Sequence, residues 1–200
     1  MEQRLIRTEV LGTALELEAH DGLFSPRHID RGTLAMLSVA PPEPGMRVMD
    51  LGCGYGVVGI AAARRCGAEN VWMSDADPAA AEAARRNAAR NGVPGVHIAC
   101  GDGFDAVDAA GFDLILVNPP YQSDFAVAKR FIEKGFNRLK LGGRMAVVVK
   151  RGTWYRNKMR AVFGGVRDFE VDGYHVLVSE RRSESSPRFL KNGRHPLKKT

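Results

Sequence analysis

The chain has 200 residues, 44% of them hydrophobic, enough for one domain around a single core and too few for two full ones. Its net charge of +6 is unevenly placed: residues 181–200 hold seven of the 29 Lys and Arg but one of the 23 acids, so 22 of each remain in residues 1–180. A basic body is therefore excluded, and the excess sits in a tail.

No run reaches the ~18 apolar residues of a membrane span, and the start MEQRLIRTEV has no apolar signal core. Cys53, Cys66 and Cys100 form neither an even disulfide set nor a CxxC pair, and the histidines lack metal-ligand spacing. These features predict a cytoplasmic protein with no metal.

In chain order, LGTALELEAHDGLFSPRHIDRGTLAML predicts a strand, a turn and a helix beginning near Asp30. From residue 46 short apolar runs alternate with helical stretches, the grammar of a parallel sheet wrapped by helices. The predicted strands are 46–50, 70–75, 96–100, 112–118 and 144–150. Between the second and third, Asp77 reads as a cap, Pro78 as the first helical residue, and Asn91-Gly92 as the stop. Between the fourth and fifth, a helix capped at Asp124 shows Phe125, Val127, Phe131, Ile132 and Leu139 on an apolar face, with Lys129, Arg130 and Lys134 on a solvated one. Beyond residue 165, VRDFEV and YHVLVSE flank Asp172-Gly173, which predicts a terminal antiparallel hairpin. The tail, RRSESSPRFLKNGRHPLKKT, is read as flexible and either solubilising or a contact for an anionic partner.

The loop DLGCGYGVVGI, after the first of these strands, parses in two ways. Gly54, Gly56 and Gly59 satisfy G-x-G-x-x-G with Asp75 closing the next strand, as in dinucleotide-binding enzymes. Asp50-x-Gly52-x-Gly54-x-Gly56 is the other parse, and it accounts for an acid the first does not require. An acid also follows the third strand, in CGDGFD, and NPPY follows the fourth. All four features fall at strand ends on one sheet edge, where open α/β sheets bind ligands. Singly, each has a plainer reading: a turn, a cap, an Asn-Pro turn, a packing aromatic.

With DLGCGYG, NPPY and the upstream GLFSPRHIDRGT, the chain resembles the methyltransferase small-domain family, class I S-adenosylmethionine methyltransferases that include ribosomal RNA guanine-N2 enzymes. The resemblance implies a Rossmann-like class I fold: a mostly parallel seven-stranded sheet with a C-terminal antiparallel hairpin and helices on both faces. The chain is expected to divide into an N-terminal strand/helix extension packing on the catalytic domain (1–40), the methyltransferase domain (41–180) and the basic tail (181–200).

By the same resemblance Asp50 orients the loop, and Gly52, Cys53 and Gly54 pass close to the methionine portion of the cofactor. Asp75 and Ala76 lie at the ribose; Asp102 holds the adenine amine beside Gly103, with Phe104 or its neighbours against the ring. Asn118 and the Pro119 carbonyl accept hydrogen bonds from a substrate amine, Pro120 stiffens the turn, and Tyr121 stacks on the substrate. Phe24, Ser25 and Asp30 line the pocket mouth, with Asp30 also readable as a helix cap and Phe24 as core, while Gly32 permits close helix approach.

KRGTWYRNKMR adds Lys150, Arg151, Arg156 and Lys158 interleaved with Trp154 and Tyr155, read as an RNA-binding flank or as an ordinary charged helix face. The expected activity is methyl transfer to a guanine N2 amine of ribosomal RNA. Adenine-N6 and guanine-N7 of transfer or ribosomal RNA, glutamine side chains of translation factors, and a non-catalytic RNA-binding protein stay open. Two-domain guanine enzymes carry a second, degenerate half that this sequence is expected to lack.

Overall fold

The computed structural model describes residues 3–23, 25–119 and 125–187. The predicted cap at Asp124, Phe24, Pro120, Tyr121 and most of the tail lie outside them. The chain opens with a hairpin, β1 (Gln3–Val10) and β2 (Thr13–His20), turned at Leu11 and Gly12, whose φ values are 54° and 73°. Only β2 was expected. Leu15, Leu17 and Ala19 alternate into the core along it.

Helix α1 (Arg31–Val39) follows, then β3 (Val48–Leu51), α2 (Val57–Cys66), β4 (Val71–Asp75), α3 (Pro78–Arg90) and β5 (His97–Cys100). The second half is β6 (Phe112–Val117), α4 (Phe125–Arg138), β7 (Leu139–Val149), α5 (Thr153–Phe163), β8 (Arg167–Val171) and β9 (Tyr174–Glu180). Strands β3 to β9 form one sheet in the order β5-β4-β3-β6-β7-β9-β8, parallel through β7, with β9 antiparallel to both β7 and β8. The expected terminal hairpin is present, with Asp172 (φ 52°) and Gly173 (φ 76°) at its turn.

Period-two alternation builds two cores. Val48, Leu114, Leu116 and Val148 face a cluster that includes residues of α1, α2, α3 and β2, while Met49, Leu51, Ile115 and Val147 face one that includes residues of α4 and α5. Strand β7 begins five residues before its predicted start. Gly143 makes this possible, because a Cβ there would lie 2.6 Å from the Phe112 carbonyl oxygen where the β6–β7 register shifts.

On α3, Asp77 accepts from the Ala79 N–H and Pro78 opens the helix, as predicted. Its Asn87 and Asn91 do more. Their side-chain amides each accept from and donate to the backbone of β2, Asn87 at Glu18 and Asn91 at Glu16. Four residues of helix advance about 6 Å and two residues of strand about 6.8 Å, so two amides spaced i, i+4 imitate a neighbouring strand.

Candidate active site

Strand order reverses between β3 and β6, and loops from the C-terminal ends of β3, β4, β5 and β6 line a cleft of about 610 Å³. Gly52 (φ 71°) and Gly54 (φ 54°) adopt left-handed backbone and have open space where a Cβ would stand, so the loop wall is bare backbone. Beneath it, Asp50 is 3% exposed and accepts from the Gly59 N–H at 2.9 Å. Burial drives its pKa up to about 7, against the pull of that N–H and with a smaller push from Asp75. Gly59 sits against β4, where a Cβ would meet Met73 at 2.5 Å.

Asp75 fixes the loop from the next strand. One carboxylate oxygen accepts from Gly54 N at 2.8 Å, the other from Asp77 N at 2.9 Å. A carboxylate has about four acceptor sites, so each oxygen can take one further donor from the cleft. Ser74 Oγ, on the same wall, is the buried side-chain polar atom without a partner among the described residues. Cys53 and Ala76 also line the cleft. Burial first, then Asp50 and Asp75, raises the Cys53 thiol, so it stays protonated.

After β5, Asp102 and Gly103 reach the cleft, but Phe104 does not. It is 1% exposed and packed in the α4–α5 core, which corrects its assignment to the adenine pocket. The ring on that wall is Phe131 of α4, which lies so close to Gly103 (φ 57°) that a Cβ there would come within 2.5 Å. Arg130, expected on a solvated face, also lines the cleft and pairs with Asp102. The predicted apolar face of α4 is thus split, with Ile132 in the core, Val127 and Phe131 at the cleft, and Phe125 55% exposed.

Asn118 follows β6. Its Nδ2 donates to Asp30 Oδ1 and to Thr33 Oγ1, both at 2.9 Å. Asp30 also caps α1 by accepting from Thr33 N at 3.0 Å, so its two sequence readings, cap and pocket residue, both hold. A Cβ on Gly32 would lie 2.9 Å from Asp30 Oδ1 and from the Tyr174 ring, which is the close approach expected of that glycine. Pro119 is buried and lines the cleft, as does Ser25, whose carbonyl accepts from Tyr55 OH at 3.1 Å. Burial, then the charge of Asp30, pushes the Tyr55 hydroxyl up to about 12. Tyr55 and Thr33 are cleft residues that the motifs did not mark; Tyr55 lies inside the glycine loop, and Thr33 three residues beyond Asp30.

The basic flank after β7 is altered by packing. Tyr155 is 8% exposed within the α4–α5 core, which corrects its assignment as a stacking ring for substrate. Arg156 pairs with Asp168 and Lys158 with Glu133. Lys150 and Arg151 are exposed, Lys150 reaching over the Tyr174 ring, and Trp154 is half-buried, its ring centroid 4.7 Å from that of Phe125. Lys150, Arg151 and Trp154 are not among the cleft-lining residues. Among the described residues no group of His, Cys, Asp and Glu could hold a metal ion, the three cysteines are unpaired, and no helix is long and apolar enough to cross a membrane.

A family model described as "Methyltransferase small domain" matches residues 14–178. Curated relatives include the ribosomal RNA small subunit methyltransferase C of Pseudomonas putida, 32% identical over 173 residues, covering 84% of this chain and 51% of the relative. The Hahella chejuensis protein of the same name is 33% identical over 172 residues, covering 84% and 50%. The chain therefore spans about half the length of the curated relatives it matches.

Among solved structures, the T. thermophilus 16S rRNA N2 G1207 methyltransferase (RsmC) in complex with AdoMet and guanosine superposes with a TM-score of 0.81 at 27% identity, over 90% of this chain and 51% of that one. TrmN from Thermus thermophilus gives 0.63 at 26% identity, over 74% and 48%.

Proposed function

The chain belongs to the methyltransferase small domain family, and on that premise we propose that it is an S-adenosylmethionine-dependent methyltransferase acting on RNA. Its acceptor is the exocyclic N2 amine of a guanine in ribosomal RNA. Relatives of 32% and 33% identity that carry a ribosomal RNA methyltransferase name support the substrate class. A match of TM-score 0.81 to an enzyme described with AdoMet and guanosine supports the cofactor and the base. Ribosomal RNA and three unpaired thiols fit a cytoplasmic setting.

The observation that carries the reading is the Asn118 amide, set at the edge of a cofactor-sized cleft with its nitrogen turned onto Asp30 and Thr33. Its oxygen is left to accept from a planar amine, whose lone pair is otherwise delocalised into the ring. Accepting from that amine stabilises the positive charge that develops on nitrogen during transfer. Bound S-adenosylmethionine supplies the methyl group on a sulfonium leaving group.

Asp75 has one acceptor site per oxygen for the ribose hydroxyls, and the bare loop at Gly52 and Gly54 admits the methionine portion. Asp102, Gly103 and Phe131 enclose the adenine, with Arg130 paired to the Asp102 carboxylate at its rim. Pro119 contributes its carbonyl as a second acceptor; for Pro120, Tyr121 and Phe24, outside the described residues, a substrate role rests on the sequence alone. Lys150, Arg151 and Trp154 meet the flanking RNA strand, and the basic tail adds phosphate contacts. The three-part division into an N-terminal extension (1–40), catalytic domain (41–180) and tail (181–200) belongs to the same reading.

The test is twofold. Nucleoside digests of ribosomal and transfer RNA from cells with and without the gene are expected to differ by one N2-methylguanine in ribosomal RNA; a lost methyladenine, N7-methylguanine or transfer-RNA mark would overturn the acceptor. In vitro, Asn118→Ala is expected to lower transfer by roughly 10²-fold or more, as when one transition-state partner is removed, with cofactor affinity nearly unchanged. Activity within a few-fold of the parent would refute Asn118 as the amine acceptor.

A further inference from the structure

Asn118 does not choose its own orientation. Asp30 Oδ1 already accepts from Thr33 N, so the amide atom 2.9 Å from that acceptor oxygen has to be the nitrogen. Thr33 Oγ1 takes the second amide hydrogen at 2.9 Å. With both hydrogens engaged, the amide cannot flip without facing its oxygen onto a carboxylate. Asp30 Oδ1 also caps α1, accepting from Thr33 N at 3.0 Å, so cap and clamp share one atom. Thr33 is 6% exposed, and the segment is seated tightly, since a Cβ at Gly32 would come 2.9 Å from both Asp30 Oδ1 and Tyr174 Cε1. The clamp is therefore built by the first turn of α1, 85 and 88 residues away in sequence from the amide it holds.

We propose that Asp30 and Thr33 are positioning residues for methyl transfer: they decide which end of the Asn118 amide meets the substrate amine. This rests on the reading of Asn118 as amine acceptor. A flipped amide would present N–H groups to an amine that is itself a donor, and the bond that draws the amine nitrogen toward tetrahedral geometry would be lost. Hydrogen bonds from the amide nitrogen to Asp30 and Thr33 also polarise the amide toward its oxygen, strengthening it as an acceptor. Both effects act on the reacting nitrogen, with little bearing on cofactor affinity.

Three variants separate this role from helix capping. Thr33→Val keeps the side-chain shape and the backbone N–H that Asp30 caps, but removes one acceptor. Asp30→Ser keeps a capping oxygen too short to span to Asn118, and Asp30→Asn keeps an oxygen that reaches both partners. With purified full-length protein, RNA and S-adenosylmethionine, kcat is expected to fall roughly tenfold for Thr33→Val, the size of one lost hydrogen bond in a reacting geometry. It should fall further for Asp30→Ser and recover to within a few-fold of the parent for Asp30→Asn. KM for RNA should rise by no more than a few-fold, since the amine contact is one among many in the RNA complex, and Kd for the cofactor should stay within about twofold, since both effects act on the substrate amine.

In an Asn118→Ala background, Thr33→Val should cost nothing more, because the residue it positions is gone. Should Asn118→Ala cripple transfer while Thr33→Val and Asp30→Ser keep the parent kcat, the clamp is refuted and the acceptor assignment stands. Should Thr33→Val cost as much in the Asn118→Ala background, its effect is structural and the proposal fails. Should Asn118→Ala itself remain active, it is the underlying reading that fails.

Discussion

Replacing Asn87 with alanine tests whether a helix can stand in for a strand. Its Oδ1 accepts from Glu18 N at 2.7 Å, while its Nδ2 donates to Glu18 O and to Tyr55 O, both at 2.9 Å. The side chain is 0% exposed, so the three backbone groups it serves lose their partner where water has little access. At about 1 kcal/mol net for each bond, and more for each group left buried and unsatisfied, the loss is about 3–4 kcal/mol. For a chain of this size that lowers Tm by about 10 °C.

Asn91→Ala also removes three bonds, to Glu16 N, Glu16 O and Asn87 O, from a less buried position. It should cost about 1–2 kcal/mol. Urea unfolding gives the stabilities, and amide exchange at Glu16 and Glu18 gives the local effect, which should exceed that at β6. Because Asn87 also holds the Tyr55 carbonyl in the glycine loop, its loss should weaken cofactor binding as well. A destabilisation below 1 kcal/mol, or unchanged exchange along β2, would refute the strand-mimic account.

Two further outcomes are expected. Burial lifts Asp50 from 3.8 to about 7. Because the folded pKa lies above the unfolded one, the folded state holds a proton that the unfolded state has released between about pH 4 and 7. This contribution is thus intact below pH 4 and lost as pH rises through 7, by about 4 kcal/mol in all. Asp50→Asn keeps an acceptor for Gly59 and cannot ionise, so urea unfolding between pH 4.5 and 8 should show a smaller decline than in the parent; an equally steep decline refutes the assignment. The two phenylalanines should separate cleanly: Phe104→Ala costs about 3–5 kcal/mol of stability, whereas Phe131→Ala mainly weakens cofactor binding, measured by calorimetry, and the reverse pattern would refute the placement of Phe131 against the adenine.

What the sequence determined was local. Alternation and β-branched runs marked every strand of the main sheet except the first residues of β7, Asp77-Pro78 marked the start of α3, and Asp172-Gly173 marked the last turn. Each of these signals depends on residues within a few positions of one another, where backbone sterics and capping act without help from the rest of the chain. The glycine loop, Asp75, Asp102 and Asn118 were legible for a related reason: in a parallel sheet, strand ends share one edge by topology alone.

Tertiary structure decided whatever depended on which side of a helix meets which neighbour. Phe104 and Phe131 are both aromatics near the third loop, and only the seating of α4 puts one in the core and the other at the cleft. Trp154 and Tyr155 are adjacent, yet a 100° step around α5 buries the tyrosine and leaves the tryptophan half-exposed beside Phe125. Asn91 read as a helix stop and serves β2 as well, while Asp30 read as either a cap or a pocket residue and is both. Hydrogen bonds spanning 69 to 88 residues leave no periodic trace in a sequence, because their partners are brought together by packing rather than by proximity along the chain.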